Sequence, residues 1–240
     1  MAAEGAPSFV CVPDLAARSG EFVLEGDEAH YLARVVRVRP GERFTATDGA
    51  GLSATMEVLA TGSELRVREL SRERRERTRG MELWCGAPEG DRADWLVEKL
   101  GELGVATLVP LQCARMKWER AEAKRARWER LALAALRQSR SCWRLGVSPP
   151  RTLAEALPGR PAEGSCWVCD PDGVPAGEAA RGATLGHAIA AVGPSSGFEV
   201  AELKMLSENG FIAVNLGGSR LRTETAALAV AAVWAAADTR

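Results

Sequence analysis

Phe211-Ile212-Ala213-Val214-Asn215-Leu216 is a strand-like run, and Gly217-Gly218-Ser219-Arg220-Leu221-Arg222-Thr223-Glu224-Thr225-Ala226-Ala227 follows it directly. The run breaks at two glycines and then opens a helix. A second passage of the same design lies just upstream. There an apolar run ending at Val192 turns at Gly193-Pro194-Ser195-Ser196-Gly197-Phe198, and a helix-like segment follows and stops at Asn209-Gly210. Glycine lets the main chain come close to a ligand, and a helix N-terminus offers unpaired N–H donors. Two such loops suit a small ligand held by backbone groups. No G-x-G-x-x-G follows a first strand, so the dinucleotide fingerprint is absent.

Outward from this stretch, strands and helices alternate back to Met81. Strands are expected at 81–87, 107–111, 165–169, 187–192 and 211–216. Helices are expected at 92–103, 121–137, 199–208 and 224–238. Ala93, Leu96, Val97, Leu100 and Leu103 make one apolar stripe on the first helix, with Asp91 as its N-cap. This alternation implies an α/β fold with a largely parallel sheet. Upstream of Met81 the pattern differs. Short strands at 8–12, 21–24, 43–47, 53–59 and 65–70 are separated by turn residues, with a helical segment at 27–38, and suggest a small β-barrel. Residues 71–80 (SRERRERTRG) are nearly all charged or small and read as a linker. The expected organisation is therefore a β-barrel domain over 1–70, a charged linker over 71–80 and an α/β domain over 81–240.

With 46% hydrophobic and 26% charged residues among 240, the chain has the composition of a globular protein rather than a disordered one. Residues 1–8 lack the basic start and apolar core of a signal peptide. The longest apolar run, 226–237, is shorter than the ~20 residues that span a bilayer. A cytoplasmic protein without a membrane partner is expected. The six cysteines have no disulfide-scaffold rhythm and are read as reduced thiols. Cys166-Trp167-Val168-Cys169 is a lone C-x-x-C. Zinc would need two further ligands, so alternation on a buried strand is the preferred reading and no metal is expected.

Net charge is −1, so any nucleic-acid role must rest on local patches. Between Arg115 and Arg144 there are ten basic residues against three acidic ones. Lys117, Arg120, Lys124, Arg125, Arg127 and Arg130 can bind backbone phosphates, and Arg34, Arg37 and Arg39 add basic charge upstream. Of the tryptophans in this tract (Trp118, Trp128 and Trp143), an exposed one could stack on an unpaired base. Trp128 begins a stripe with Leu131, Ala132 and Ala135 and is expected in the core. No helix-turn-helix or zinc finger points to DNA.

Several of these segments resemble the SPOUT-class methyltransferases that act on N3 of a uridine in small-subunit ribosomal RNA. The segment from His30 to Glu42 resembles that family's PUA-like RNA-binding barrel. Gly90-Asp91-Arg92, Trp95-Leu96-Val97-Glu98-Lys99, Glu102-Leu103-Gly104-Val105 and Val109-Pro110-Leu111 resemble the start of its catalytic domain. Arg127-Trp128-Glu129-Arg130 and Arg137-Gln138-Ser139 match one of its helices. Leu216-Gly217 with Leu221-Arg222-Thr223-Glu224-Thr225-Ala226 is the most specific match. The resemblance implies a trefoil-knotted domain, a homodimer, and S-adenosylmethionine as cofactor. The partner would be small-subunit ribosomal RNA, free or in the assembled subunit.

By that resemblance Gly193, Pro194, Gly197, Leu216, Gly217, Leu221, Thr223 and Thr225 are the cofactor-binding residues. Arg222 is a candidate for the phosphate or developing carbonyl charge of the target nucleotide. Glu224 is a candidate proton acceptor, although ion pairing or capping is an ordinary role for a carboxylate in a first helical turn. Two departures are visible. The family usually reads Gly-Pro-Glu-Gly-Gly where this chain has Gly193-Pro194-Ser195-Ser196-Gly197, and Arg140-Ser141-Cys142-Trp143-Arg144 replaces a usual glycine. A positive φ at Ser196 would cost roughly 1 kcal/mol relative to glycine. The alternative function is therefore a catalytically weak or inactive RNA- or ribosome-binding protein on the same fold.

Overall fold

A computed structural model describes residues 8–161, 163–183 and 186–237 of the chain. They form two compact units, one holding the residues up to Arg77 together with Leu136–Arg144, the other holding Thr78–Ala135 and the residues from Leu145 onward.

The first unit contains β1 (Phe9–Cys11), β2 (Glu21–Leu24), α1 (Gly26–His30), a wider helical turn at Tyr31–Val36, β3 (Arg43–Thr47), β4 (Leu52–Ala60) and β5 (Leu65–Arg74). The five strands make one sheet of order β1-β3-β4-β5-β2, antiparallel except for the β1–β3 pair. Along β4, Leu52, Ala54, Met56 and Val58 alternate inward and pack with Leu15, Leu32, Phe44 and Val67. The helical segment ends at Val36, because Arg37 takes a left-handed φ of 61°, just short of the expected end at Val38. The linker reading of 71–80 needs correction over its first four residues. Ser71–Arg74 continue β5, with Arg72 opposite Ala54 and Arg74 opposite Leu52. Partners explain how so charged a segment stays in a sheet: Arg72 pairs with Glu69, and Arg74 with Asp48 at 3.1 Å.

In the second unit the elements are β6 (Gly80–Cys85), α2 (Arg92–Glu102), β7 (Thr107–Pro110), α3 (Ala121–Ser139), β8 (Gly146–Val147), α4 (Leu153–Ala156), β9 (Ser165–Pro175), α5 (Ala176–Arg181), β10 (His187–Val192), α6 (Val200–Glu208), β11 (Ile212–Asn215) and α7 (Thr223–Ala236). The last residues of α3 belong with the first unit. All five pairings in the six-stranded sheet, of order β11-β9-β10-β6-β7-β8, are parallel. Its central strands are apolar at nearly every position because both faces are covered. Met81, Leu83, Ala188, Ala190 and Trp167 face α2, α3, α5 and α7, whereas Trp84, Ile189, Ala191 and Val168 face α4 and α6. Asp91 stands at the N-cap of α2 but makes no side-chain cap hydrogen bond. The sequence reading missed β8, α4 and α5, all of six residues or fewer and without a full amphipathic period.

Candidate functional site

Open parallel sheets bind ligands at the carboxyl ends of their strands. The second unit has a cavity of about 530 Å³ there. Three loops line it, running from Val192 to Phe198 after β10, from Val214 to Leu221 around the end of β11, and through Cys169-Asp170-Pro171 within β9. Leu203, Thr223 and Ala226 add side chains from α6 and α7.

The two glycine loops quoted from the sequence thus meet at one cavity. Thr223 ties them together, its buried Oγ1 donating to the Gly193 carbonyl at 3.1 Å. Inside the first loop, Gly197 N–H donates to the Pro194 carbonyl at 2.8 Å and Gly197 takes a φ of 74°. Ser196 is not among the described non-glycine residues of positive φ, which are Arg37, Arg120 and Arg140. The left-handed turn falls on the glycine, so Ser196 carries no such strain. Gly217 has a φ of 140°, again a conformation that side chains avoid. Of the residues expected to bind a cofactor, Gly193, Pro194, Gly197, Leu216, Gly217, Leu221 and Thr223 line the cavity. Thr225 is exposed on α7 and outside the lining.

The two catalytic candidates separate. Arg222 is exposed at the N-cap of α7, beside the lining but not part of it. Glu224 is 3% exposed and its Oε1 accepts from the Arg92 guanidinium at the start of α2. Ion pairing is therefore what this carboxylate does in the structure, and the pair joins α2 to α7.

Three features of the site have little sequence signal. Between Ala213 and Val214 the β11–β9 register jumps from Val168 to Val174, so residues 169–173 bulge out of the ladder and deliver Asp170 and Pro171 to the cavity. Gly173 closes the bulge, since a Cβ there would sit 2.4 Å from the Ala213 and Val214 backbone. Gly86, after β6, is pressed against the first loop in the same way: its Cβ would lie 2.4 Å from Pro194 N. Both positions need glycine for close approach, which appears only when distant segments are brought together.

Burial keeps the neighbouring thiols protonated, pushing Cys169 up to about 12 and raising Cys166 as well. Among the described residues no group of three His, Cys, Asp or Glu is placed to hold a metal ion, and the six cysteines are free thiols.

The basic residues singled out in the sequence divide between the units. Arg34, Arg37 and Arg39 are exposed in the first. In the second, Lys117, Arg120, Arg127 and Arg130 are exposed and Lys124 and Arg125 half-buried. Two of these charges are shared with acids, Arg127 with Asp94 at 2.6 Å and Arg125 with Glu122 at 3.0 Å. Trp128 is buried, as its stripe implies, and its indole N–H donates to Asp94. Trp118 is also buried, with its N–H on the Cys85 carbonyl, and Trp143 lies half-buried under Arg77, so none of the three is free to stack on a base.

A parallel α/β unit with a ligand cavity at its strand ends, preceded by a small β unit, is the class of protein that fold and site define. Residues 75–235 match the RNA methyltransferase domain family, and residues 24–69 match the RNA methyltransferase PUA domain. The chain belongs to this RNA methyltransferase family. It is similar to a ribosomal RNA small subunit methyltransferase E of Bacillus subtilis, 28% identical over 221 residues that cover 86% of each chain. It is 31% identical to the protein of the same name from Mycobacterium bovis, over 85% of this chain and 82% of that one. Among solved structures it is similar to a ribosomal RNA small subunit methyltransferase E from Neisseria gonorrhoeae bound to S-adenosyl methionine, with a TM-score of 0.84 and 28% identity. That similarity covers 95% of this chain and 96% of the other.

Proposed function

We propose that this protein transfers a methyl group from S-adenosylmethionine to N3 of a uridine in small-subunit ribosomal RNA. One observation carries the reading: both glycine loops converge, pinned by Thr223, on a cavity at the carboxyl ends of a parallel sheet. The residues present fit the cofactor. A cavity of about 530 Å³ is of the size that takes a drug-sized ligand. Gly86 and Gly173 leave room for main chain where a Cβ would collide. Leu216, Leu221 and Phe198 offer apolar surface to a flat base, while Asp170 offers a carboxylate.

When bound, S-adenosylmethionine supplies an electrophilic methyl group on a sulfonium. The chain's part is to hold the uridine ring in line, to exclude water, and to stabilise negative charge on the carbonyl oxygens beside N3 as its proton leaves. The cofactor is assigned to Gly193, Pro194, Gly197, Leu216, Gly217, Leu221 and Thr223. Thr225, outside the lining, is assigned to the helix instead. Arg222, exposed beside the cavity, is the candidate for the phosphate or carbonyl oxygens of the target. Glu224 is assigned to Arg92 and the start of α7, as a positioning residue. RNA backbone is assigned to Arg34, Arg37 and Arg39 in the PUA domain and to Lys117, Arg120, Lys124, Arg125, Arg127 and Arg130 in the other. The trefoil knot belongs to the same proposal, supported by β11 at the sheet edge and the return of α7 against β6 and β10. A cytoplasmic homodimer completes it; no described helix is long and apolar enough to cross a membrane.

The test is calorimetric titration with S-adenosylmethionine, followed by mapping of methylated uridines in small subunits incubated with the enzyme. Saturable binding and a new N3-methyl mark are expected. Arg222→Ala should lower turnover while leaving cofactor affinity unchanged, and unchanged turnover removes Arg222 from the mechanism. The non-catalytic alternative draws on Ser195 and Ser196: Ser196 has no positive φ, while Ser195 leaves the loop without the usual acid. Cofactor binding without any methyl transfer would favour it.

A further inference from the structure

The segment that departs from the expected loop, Ser195–Ser196, is held from two sides. Arg115, in the loop after β7, donates from Nη1 to the Ser196 carbonyl at 2.7 Å. Arg220, in the loop after β11, donates from Nη2 to the Ser195 carbonyl at 3.0 Å. The Ser195 hydroxyl leans on Met116 Sδ at 3.8 Å, and Arg115 keeps a longer contact to Glu199 at 3.9 Å. Successive carbonyls on one peptide segment thus each meet a guanidinium, and the two guanidiniums come from different loops. Ser195, Ser196 and Arg220 all border the cavity.

We propose that Arg115 and Arg220 are positioning residues that clamp the Ser195–Ser196 segment at the edge of the cavity and set how fast a ligand leaves it. This rests on the cofactor reading of the cavity. The physical argument is short. Ser196 and both arginines are exposed, so hydrophobic burial contributes little to holding the segment. Hydrogen bonds from a charged donor are about twice as strong as neutral ones, and the planar fork loses less entropy per bond than an ammonium would. Solvent lowers the value of each bond, but either arginine can hold the segment while the other releases. Removing both leaves the Gly197–Pro194 turn, the Met116 contact and, one step back along the loop, the Thr223 bond to the Gly193 carbonyl. Because Arg220 sits on the opposite loop, its bond also fixes the distance between the two cavity loops.

Hydrogen exchange of the ligand-free protein tests the clamp without relying on the cofactor. In Arg115→Ala/Arg220→Ala, amides of residues 193–199 should exchange at least about tenfold faster than in the wild type, with the rest of the sheet unchanged. Arg115→Lys/Arg220→Lys should recover part of the protection. In parallel, the dissociation rate of S-adenosylhomocysteine should rise at least about fivefold in the double alanine variant while the unfolding midpoint stays put. Exchange in 193–199 within twofold of wild type overturns the clamp. Faster exchange with an unchanged dissociation rate overturns its role in ligand exit. A wild-type protein that binds neither cofactor nor its demethylated product counts instead against the proposed function, and the exchange result still decides the clamp.

Discussion

Gly86→Ala is the sharpest test of how the site is built. Gly86 lies outside both glycine loops, is buried, and donates its N–H to the Val192 carbonyl at 2.8 Å. An added methyl would lie 2.4 Å from Pro194 N, 2.7 Å from Pro194 Cδ and 2.9 Å from the Gly193 carbonyl carbon. Ordinary contact begins near 3.5 Å, so the Gly193-Pro194 backbone must retreat by about 1 Å. Overpacking of this kind costs about 1–3 kcal/mol. If the loss fell wholly on the bound state, it would weaken S-adenosylmethionine by about 5–150-fold. Methyl transfer should suffer further, since a misplacement of about 1 Å can cost 10²-fold in rate. Gly218→Ala is the control, because Gly218 borders the same cavity with nothing within 4 Å of its would-be Cβ and no positive φ. Calorimetry of both variants, beside their thermal unfolding, separates loop displacement from general damage. Gly86→Ala binding the cofactor within twofold of wild type, with turnover retained, would refute the claim that this glycine shapes the cavity.

Thr223→Val keeps the shape of the side chain but removes the 3.1 Å bond to the Gly193 carbonyl. A loss of about 1 kcal/mol is expected, read as roughly fivefold weaker cofactor binding by calorimetry. Arg140 holds a left-handed φ of 54° just after α3, so Arg140→Gly should raise unfolding stability by up to about 1 kcal/mol in urea titrations. In the first unit, burial raises the Glu28 carboxyl above its ordinary value despite the opposing Arg137 guanidinium. A raised acid favours the folded state when protonated, so its contribution is complete below the unfolded-state pKa and is lost as pH rises through the folded one. Glu28→Gln should flatten the fall in stability over that window, and urea midpoints across the acid range check it.

The α/β alternation from Met81 onward was legible because each element carries a long enough run to show its period. The central strands read as unbroken apolar segments for the same reason that they lie between two helical layers. Both glycine loops were legible too, since glycine and proline act through local backbone freedom. Most cofactor-loop residues named from the motif line one cavity, but Thr225, directly after buried Glu224, is exposed on α7 outside the lining. Residues 71–74 were misjudged because their charges are matched within the sheet, Arg72 by Glu69 on the same strand and Arg74 by Asp48 in the turn before β4. The burial of Trp118 has no local signal, because its hydrogen-bond partner, the Cys85 carbonyl, is 33 positions away. Local chemistry, written in neighbouring residues, was thus determined by the sequence itself: where turns fall, which strands are buried, and which loops can approach a ligand. Proximity was decided only by the tertiary structure. It alone put Gly86 under Pro194, looped residues 169–173 into the cavity, joined Arg92 to Glu224, and set Arg115 and Arg220 on adjacent carbonyls, because each of these contacts depends on segments far apart in the chain packing at van der Waals or hydrogen-bond distance.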